Sequence, residues 1–288
     1  MTAPLSRVIT RFAPSPTGYL HLGHAHSALF TWKAAQAANG TFLLRIEDLD
    51  PGRSRPDFEQ AIMVDLTWLG LRWPKPVRRQ SEELDRYAKA LDSLQEMDLL
   101  YPCFCTRKAI QQEIAQAPSA PHGPDGPLYP GTCQSLSPAT RRARQESGES
   151  YALRLDMTAA MEQAGPLSWM DLSKGKQDAQ PQVFGDVVLA RKDIAASYHL
   201  AVVLDDADQD VTLVTRGEDL FEATHVHRLL QALLSLPVPT WHHHNLITDD
   251  RGQRLAKRHD ALSIRQLRDQ GRSAAAVRRL AGFPDPIA

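Results

Sequence analysis

Three histidines stand within six positions, His21, His24 and His26 of HLGHAH, directly after RFAPSPTGYL. Two chemistries suit such a cluster: lasting coordination of a metal ion, or contact with charge that exists only during a reaction. A metal site needs ligands converging on one point, usually with cysteines or carboxylates nearby. No cysteine or acid lies between Arg11 and Lys33, so His21 and His24 lack a third ligand. Pro14, Pro16 and Gly18 shape a tight approach to a helix that begins near Leu22. The N-terminus of a helix presents unpaired N–H groups and a partial positive charge, which attract phosphate. Two imidazoles at that end would donate to phosphate oxygens as charge accumulates during displacement. A purely structural pair is the plainer reading of HLGH taken alone. The second clue is RLAKR, residues 254–258, where Lys257 is a cation able to grip a polyphosphate with Arg254 and Arg258 beside it.

A second constellation is Cys103-x-Cys105 with Cys133, three thiols and the only cysteines of the chain. An odd number argues against a disulfide framework, and three thiolates are one ligand short of tetrahedral zinc. Tyr129, His122 or water could be the fourth; three unrelated buried cysteines are the alternative. Between Pro118 and Pro130 lie five prolines, so this stretch cannot be helix interior or central strand and would gain from the closure a metal provides. The run His242, His243, His244 is a poor rival ligand set, because neighbours in a strand point to opposite faces.

These residues need a scaffold. SRVITRFAP reads as a short buried strand, and Leu22, Ala25, Leu29 and Trp32 recur at helical spacing until Gly40 stops the helix. TFLLRIEDLD is a second strand ending in acids, which completes a βαβ unit of the kind that builds parallel sheets. Helices are expected over Pro56–Leu69 and Glu82–Leu99. After Tyr101 an irregular insertion begins, with strands at SYALRLDM and FGDVVLARKD. Sheet periodicity is expected to resume with strands at SYHLAVVLDD and DVTLVTRGED, followed by a helix from Glu222 to Ser235 and a strand at WHHHNLITD. Two short basic helices close the chain. In such open α/β sheets the ligand lies beyond the carboxyl ends of the strands, near the switch in strand order.

Bulk composition narrows the classes. With 42% hydrophobic and 23% charged residues, the 288-residue chain has the composition of an ordinary globular protein, of one large domain or two smaller ones. No run of about 18 apolar residues suggests a membrane span, and the N-terminus lacks the apolar core of a signal peptide, so the cytosol is the expected compartment. The net charge of −1 gives no global basic field, yet nine Lys/Arg face two Asp between Arg251 and Ala281. That tract is either a solvated helical face or a polyanion site.

The segments RFAPSPTGYLHLGHAHSALF, FLLRIEDLD, SYHLAVVLDD, TRGEDL and RLAKR, in this order, resemble the class I aminoacyl-tRNA synthetases, specifically their glutamyl group. The resemblance covers nearly the whole chain. It implies a Rossmann-like α/β catalytic domain with a zinc-containing middle insertion and a short helical C-terminus. The expected division is 1–100 and 191–247 for the two catalytic halves, 101–190 for the acceptor-binding insertion, and 248–288 for the lysine loop and basic helices. His21 and His24 then correspond to the HIGH motif, and residues 254–258 to the KMSKS loop, so that His21, His24, Arg254 and Lys257 would bind ATP with Mg2+ on its phosphates. The loop departs from the family pattern: Arg254 replaces the first lysine and Ala256 the serine, whose hydroxyl contact is lost.

The same resemblance assigns glutamate binding to Arg11, Ser15, Glu47, Tyr198 and Arg216, and zinc to Cys103, Cys105, Tyr129 and Cys133. The chemistry agrees, since bidentate arginine suits a carboxylate and a buried acid suits an ammonium. A salt bridge at a strand end is the plainer role for each arginine. A side chain without an amide also fits two arginines better than glutamine does; glutaminyl specificity is the alternative. About thirty residues follow Lys257, too few for the helical anticodon-reading domain of the glutamyl enzymes. The branch of the family with that economy attaches glutamate to queuosine in the anticodon of tRNA(Asp), and a monomer is expected. Conventional glutamylation of a tRNA 3′ end, a small-molecule nucleotidyltransferase and a non-catalytic paralogue are the alternatives.

Overall fold

The computed structural model describes residues 7–116, 122–124, 126–247 and 262–284. Strand β1 (Ile9–Phe12) runs through the proline-containing turn into helix α1 (Leu22–Ala37), and β2 (Thr41–Ile46) returns parallel to β1, with Ile9 opposite Thr41. Gly40 sits where the returning chain crosses Val8, and a Cβ there would lie 2.1 Å from the Val8 carbonyl oxygen. Helix α2 (Pro56–Trp68) leads to the short strand β3 (Arg78–Arg79), parallel to β2, and helix α3 (Leu84–Glu96) follows. Proline at the first turn of α2 loses no helical hydrogen bond there and presets its dihedral angle.

The middle of the chain is antiparallel. Strand β4 (Leu100–Cys103) is followed by α4 (Arg107–Gln116), the short pair β5 (His122–Gly123) and β6 (Gly126–Pro127), and α5 (Pro138–Glu146). Then come β7 (Ala152–Leu155), α6 (Met157–Ala164), the hairpin β8 (Ser168–Asp171) and β9 (Gly175–Asp178), and β10 (Val188–Arg191). Strands β4, β7 and β10 form one sheet with β7 central. The β8–β9 hairpin, for which the sequence offered no strand signal, instead joins the parallel sheet through Asp171 opposite Trp241.

The second parallel half comprises helix α7 (Tyr198–Asp208), β11 (Leu213–Gly217), α8 (Ala223–Leu233) and β12 (Thr240–His244), followed by α9 (Ile264–Asp269) and α10 (Ala274–Leu280). Strands β11 and β12 are parallel, and β12 pairs with β8. The two halves meet where the Thr212 N–H donates to the Ile9 carbonyl at 3.0 Å, so β1 lies beside β11. The switch in strand order falls there, and the expected α/β architecture with a parallel sheet is present.

One expected element is different. SYHLAVVLDD is not a strand but helix α7, capped by the Ser197 hydroxyl, which accepts from Leu200 N–H. Every residue from Leu200 to Asp206 is buried, so the segment has no polar face from which a helical period could be read. A short continuous apolar run fits a buried strand or a buried helix equally well. Its acids are buried because arginines meet them. Asp206 Oδ1 accepts from Arg11 Nε at 2.9 Å and Arg45 Nη1 at 2.8 Å, and Asp205 Oδ2 accepts from Gln80 Nε2 at 2.8 Å. These bonds tie α7 to the first half of the sheet. No described helix is long and apolar enough to cross a membrane.

Candidate active site

A cavity of about 370 Å³ opens beyond the carboxyl ends of β1 and β11. Its walls include Arg11, Ser15, Glu47, Tyr198 and Arg216, and the N-terminal turn of α1 with His21 and His24. Residues from four separate stretches of sequence thus converge on one space. Lys257, Arg254, Ala256 and Arg258 lie outside the described residues.

The two histidines build the helix end as well as line the cavity. His21 is the N-cap of α1, and its Nδ1 accepts from Gly23 N–H at 3.1 Å. His24 Nδ1 accepts from His21 N–H at 3.2 Å, a capping box made of imidazoles, and the rings stack with centroids 3.8 Å apart. A ring nitrogen that accepts from an N–H carries no proton, so in the neutral ring the proton sits on Nε2. Both side chains are therefore held in the form that offers an Nε2–H donor. The helix end is also braced from behind, where Ile264 N–H donates to the Leu20 carbonyl at 2.7 Å.

The two arginines differ in kind. Arg11 already has a carboxylate partner in Asp206, so its strand-end salt bridge is real. Arg216 is 5% exposed and among the described residues hydrogen-bonds only neutral groups: Tyr198 Oη at 3.1 Å, His227 Nδ1 at 3.1 Å, His243 Nε2 at 3.1 Å and Thr224 Oγ1 at 2.5 Å. Among the described residues no carboxylate lies within ion-pair distance of it. Burial pushes its pKa down, as does Arg11, while Tyr198 and Asp206 oppose the shift. A buried cation in this condition is strongly attractive to an anion entering the cavity.

Glu47 follows directly on β2, with its backbone N–H donating to the Pro14 carbonyl at 3.1 Å. Its side chain is 11% exposed, and Arg45 Nη2 lies 3.4 Å from Oε1. Burial raises its pKa to about 7 despite Arg45 and Arg11 nearby. The cavity thus pairs an unneutralised guanidinium with a carboxyl poised to ionise, a complement to an amino acid that carries both signs.

The cysteines also come together. The Sγ atoms of Cys103, Cys105 and Cys133 all lie within 4.8 Å of one another, with Cys105 and Cys133 3.5 Å apart. Tyr129 Oη lies 3.5 Å from Cys105 Sγ, and the Phe104 N–H donates to Cys133 Sγ at 3.3 Å. Three soft ligands and a phenol around one point suit zinc. The side chain of His122 lies outside the described residues. A second cavity of about 430 Å³ runs from Cys103 and Cys105 to Ser15, Thr17, Glu47 and Tyr198, so the cysteine cluster adjoins the first cavity's wall.

Sequence reasoning missed the residues behind Arg216. In the sequence His243 reads as one of a histidine run, and Thr224, His227 and Asp171 belong to no motif. The alternation of strand side chains does hold: His242 and His244 both contact Phe30, whereas His243 faces Asp171, with Nδ1 2.7 Å from Oδ2. Alternation was the one signal available, and it separates His243 from its neighbours without saying what it faces.

Comparison with known proteins accords with this geometry. Residues 7–282 match the family described as tRNA synthetases class I (E and Q), catalytic domain. The chain is 50% identical to the Glutamyl-Q tRNA(Asp) synthetase of Rhodobacter capsulatus over 96% of its own length and 100% of that protein's. It is 38% identical to the Glutamate--tRNA ligase of Aquifex aeolicus, over 93% of the chain and 55% of the relative. A crystal structure of a glutamate tRNA ligase from Elizabethkingia meningosepticum in complex with its amino acid superposes with a TM-score of 0.72 at 28% identity, covering 92% of this chain and 53% of that one. The chain therefore spans about half the length of these ligases. An N-terminal imidazole cap, a cavity at the strand-order switch and a family match over almost every residue lead to one conclusion: this chain belongs to the class I glutamyl/glutaminyl-type tRNA synthetases and is an aminoacyl-tRNA synthetase.

Proposed function

We propose that the chain activates L-glutamate with ATP and transfers the glutamyl group to queuosine in the anticodon of tRNA(Asp). The observation that carries this reading is the buried Arg216, without a carboxylate partner among the described residues, in the same cavity as Glu47. One substrate carboxylate would take Arg216, Arg11 would attract the other, and ionised Glu47 would hold the ammonium, with Ser15 and Tyr198 adding hydroxyls. An α-carboxylate oxygen attacks the α-phosphorus of ATP, the bond to the bridging oxygen breaks, and pyrophosphate leaves. His21, His24 and Lys257 act in this step by stabilising charge rather than carrying protons, with Arg254 beside the phosphates. Mg2+ on the phosphates would neutralise part of their charge. In the second step an acceptor hydroxyl attacks the acyl carbon, loses its proton, and AMP leaves.

Zinc held by Cys103, Cys105, Tyr129 and Cys133 would close the irregular stretch of the 101–190 insertion and take no part in the chemistry. The second cavity, sharing Ser15, Thr17, Glu47 and Tyr198 with the first, is the proposed route by which the acceptor hydroxyl reaches the acyl group. The ring of queuosine carries vicinal hydroxyls that mimic the ribose diol a class I site esterifies. Among the terminal arginines, Arg268 is engaged with Asp65 and Arg278 with the Leu69 carbonyl, whereas Arg272 and Arg279 are exposed and suit phosphate contact. Similarity along the full length of the Rhodobacter relative favours tRNA(Asp) as the RNA. Conventional charging of tRNA(Glu) is the second reading, favoured by the similarity to the Aquifex ligase.

Two assays test the proposal. ATP–pyrophosphate exchange should depend on glutamate without RNA, and His24→Ala should lower it by about 2.7–4 kcal/mol of transition-state stabilisation, as loss of an oxyanion donor does. Exchange unchanged in that variant removes His24 from the chemistry. Labelled glutamate should then appear on tRNA(Asp) bearing queuosine, and not on tRNA(Asp) lacking it or on tRNA(Glu). Label on tRNA(Glu) alone makes conventional charging the better reading.

A further inference from the structure

The neutral shell around Arg216 is built with fixed proton positions. A guanidinium has donors only, so each ring nitrogen that meets it presents a lone pair. His243 Nε2 therefore accepts from Arg216 Nε–H at 3.1 Å, which puts its proton on Nδ1, donated to Asp171 Oδ2 at 2.7 Å. His227 Nδ1 accepts from Nη1 at 3.1 Å, which puts its proton on Nε2, 3.2 Å from His199 Nδ1. Both chains of bonds are satisfied by one set of tautomers, with both histidines neutral. Burial and the Arg216 charge keep that state: the His243 pKa falls to about 4 and that of His227 well below its ordinary value. Burial alone would raise the Asp171 carboxyl, but its bonds from Ser173 and His243 hold it at about 2, so the acceptor for His243 stays ionised.

A carboxylate in place of either imidazole would orient Arg216 equally well and would neutralise it. Here the acid is kept one residue away, behind His243. Of the five N–H donors of the guanidinium, four are taken by Tyr198, His227, His243 and Thr224, and one on Nη2 has no partner among the described residues.

We infer that His227 and His243, the latter held by Asp171, are positioning residues that aim Arg216 into the cavity while leaving its charge for the substrate carboxylate. This rests on the glutamate reading of the cavity. The shell thereby sets substrate affinity without touching the substrate.

The test is glutamate- and ATP-dependent pyrophosphate exchange in the full chain, with wild type and Arg216→Ala alongside paired histidine variants. Asparagine places its amide oxygen near the position of Nδ1 and glutamine near that of Nε2, so His227→Asn and His243→Gln keep the acceptor. His227→Leu removes it, and His243→Glu, matched in length to His243→Gln, sets a carboxylate against Arg216. We expect glutamate KM to rise about tenfold or more in His227→Leu and His243→Glu, the size of one charged hydrogen bond, while ATP KM stays within about twofold. The asparagine and glutamine variants should stay within about threefold of wild type. If His227→Leu does not fold, the His243→Gln and His243→Glu pair decides. Equal glutamate KM in that pair, or equal losses for glutamate and ATP, overturns the inference. If wild type shows no glutamate-dependent exchange, or Arg216→Ala leaves glutamate KM unchanged, the glutamate reading fails and the inference with it. A normal wild type with an impaired Arg216→Ala and unaffected histidine variants defeats the inference alone.

Discussion

Glu47→Gln separates the cost of burying a carboxylate from its use. Burial raises the Glu47 pKa from the ordinary 4.5 to about 7, because the Arg45 contact at 3.4 Å and the Arg11 charge do not replace the lost water. The unfolded chain releases this proton near 4.5, whereas the folded chain holds it until about 7. Between these values the folded state binds more protons, so stability from this group falls as pH rises and the full penalty is present above about 7. The difference corresponds to about 3 kcal/mol, and cavity water reaching the 11% of the side chain still exposed trims it to about 2–3 kcal/mol. Glutamine keeps the shape and an oxygen for Arg45 but cannot ionise. Denaturant unfolding of both proteins at several pH values should show the variant gaining about 2–3 kcal/mol on wild type between pH 4 and pH 8. Any pH-independent cost of the amide cancels in that comparison, as do other titrating groups. A difference that is flat across this range, or that favours wild type at high pH, refutes the account of Glu47. The same ionisation should appear in function: glutamate KM should fall as pH rises through about 7 in wild type and show no such step in the variant.

Asp206→Ala should destabilise by about 3–5 kcal/mol, because Arg11 and Arg45 are both left buried beside an empty place; an unfolding free energy within about 1 kcal/mol of wild type contradicts that burial argument. Metal analysis of protein purified without chelators should find about one equivalent of zinc, lost in Cys105→Ser and retained in His242→Ala, since His242 contacts Phe30 and is not part of the cysteine cluster. Less than about half an equivalent in wild type counts against the zinc site.

Chemistry-bearing residues close together in sequence were legible without a structure. His21 and His24 cap the first helix because a proline-containing turn, an imidazole pair and an apolar helical period are all local features. Arg11, Glu47 and Arg216 could be placed at strand ends for the same reason, and Cys103 and Cys105 could be grouped with Cys133 by number alone. What tertiary structure decided was the company each residue keeps. That Asp206 belongs to Arg11 and Arg45, while Arg216 has only neutral partners among the described residues, depends on α7 being a helix whose acids reach the first half of the sheet. Its continuous apolar run carries no period to distinguish it from a strand. The short β8–β9 hairpin, whose exposed Met170 and buried Trp169 give no clean polar alternation, takes its place by pairing with β12, and it brings Asp171 to His243 across 72 positions of chain. Sequence patterns record the faces that elements turn to water. Partners buried on both sides leave no such pattern, and Thr224, His227 and His243, which hold Arg216 from behind, are all buried.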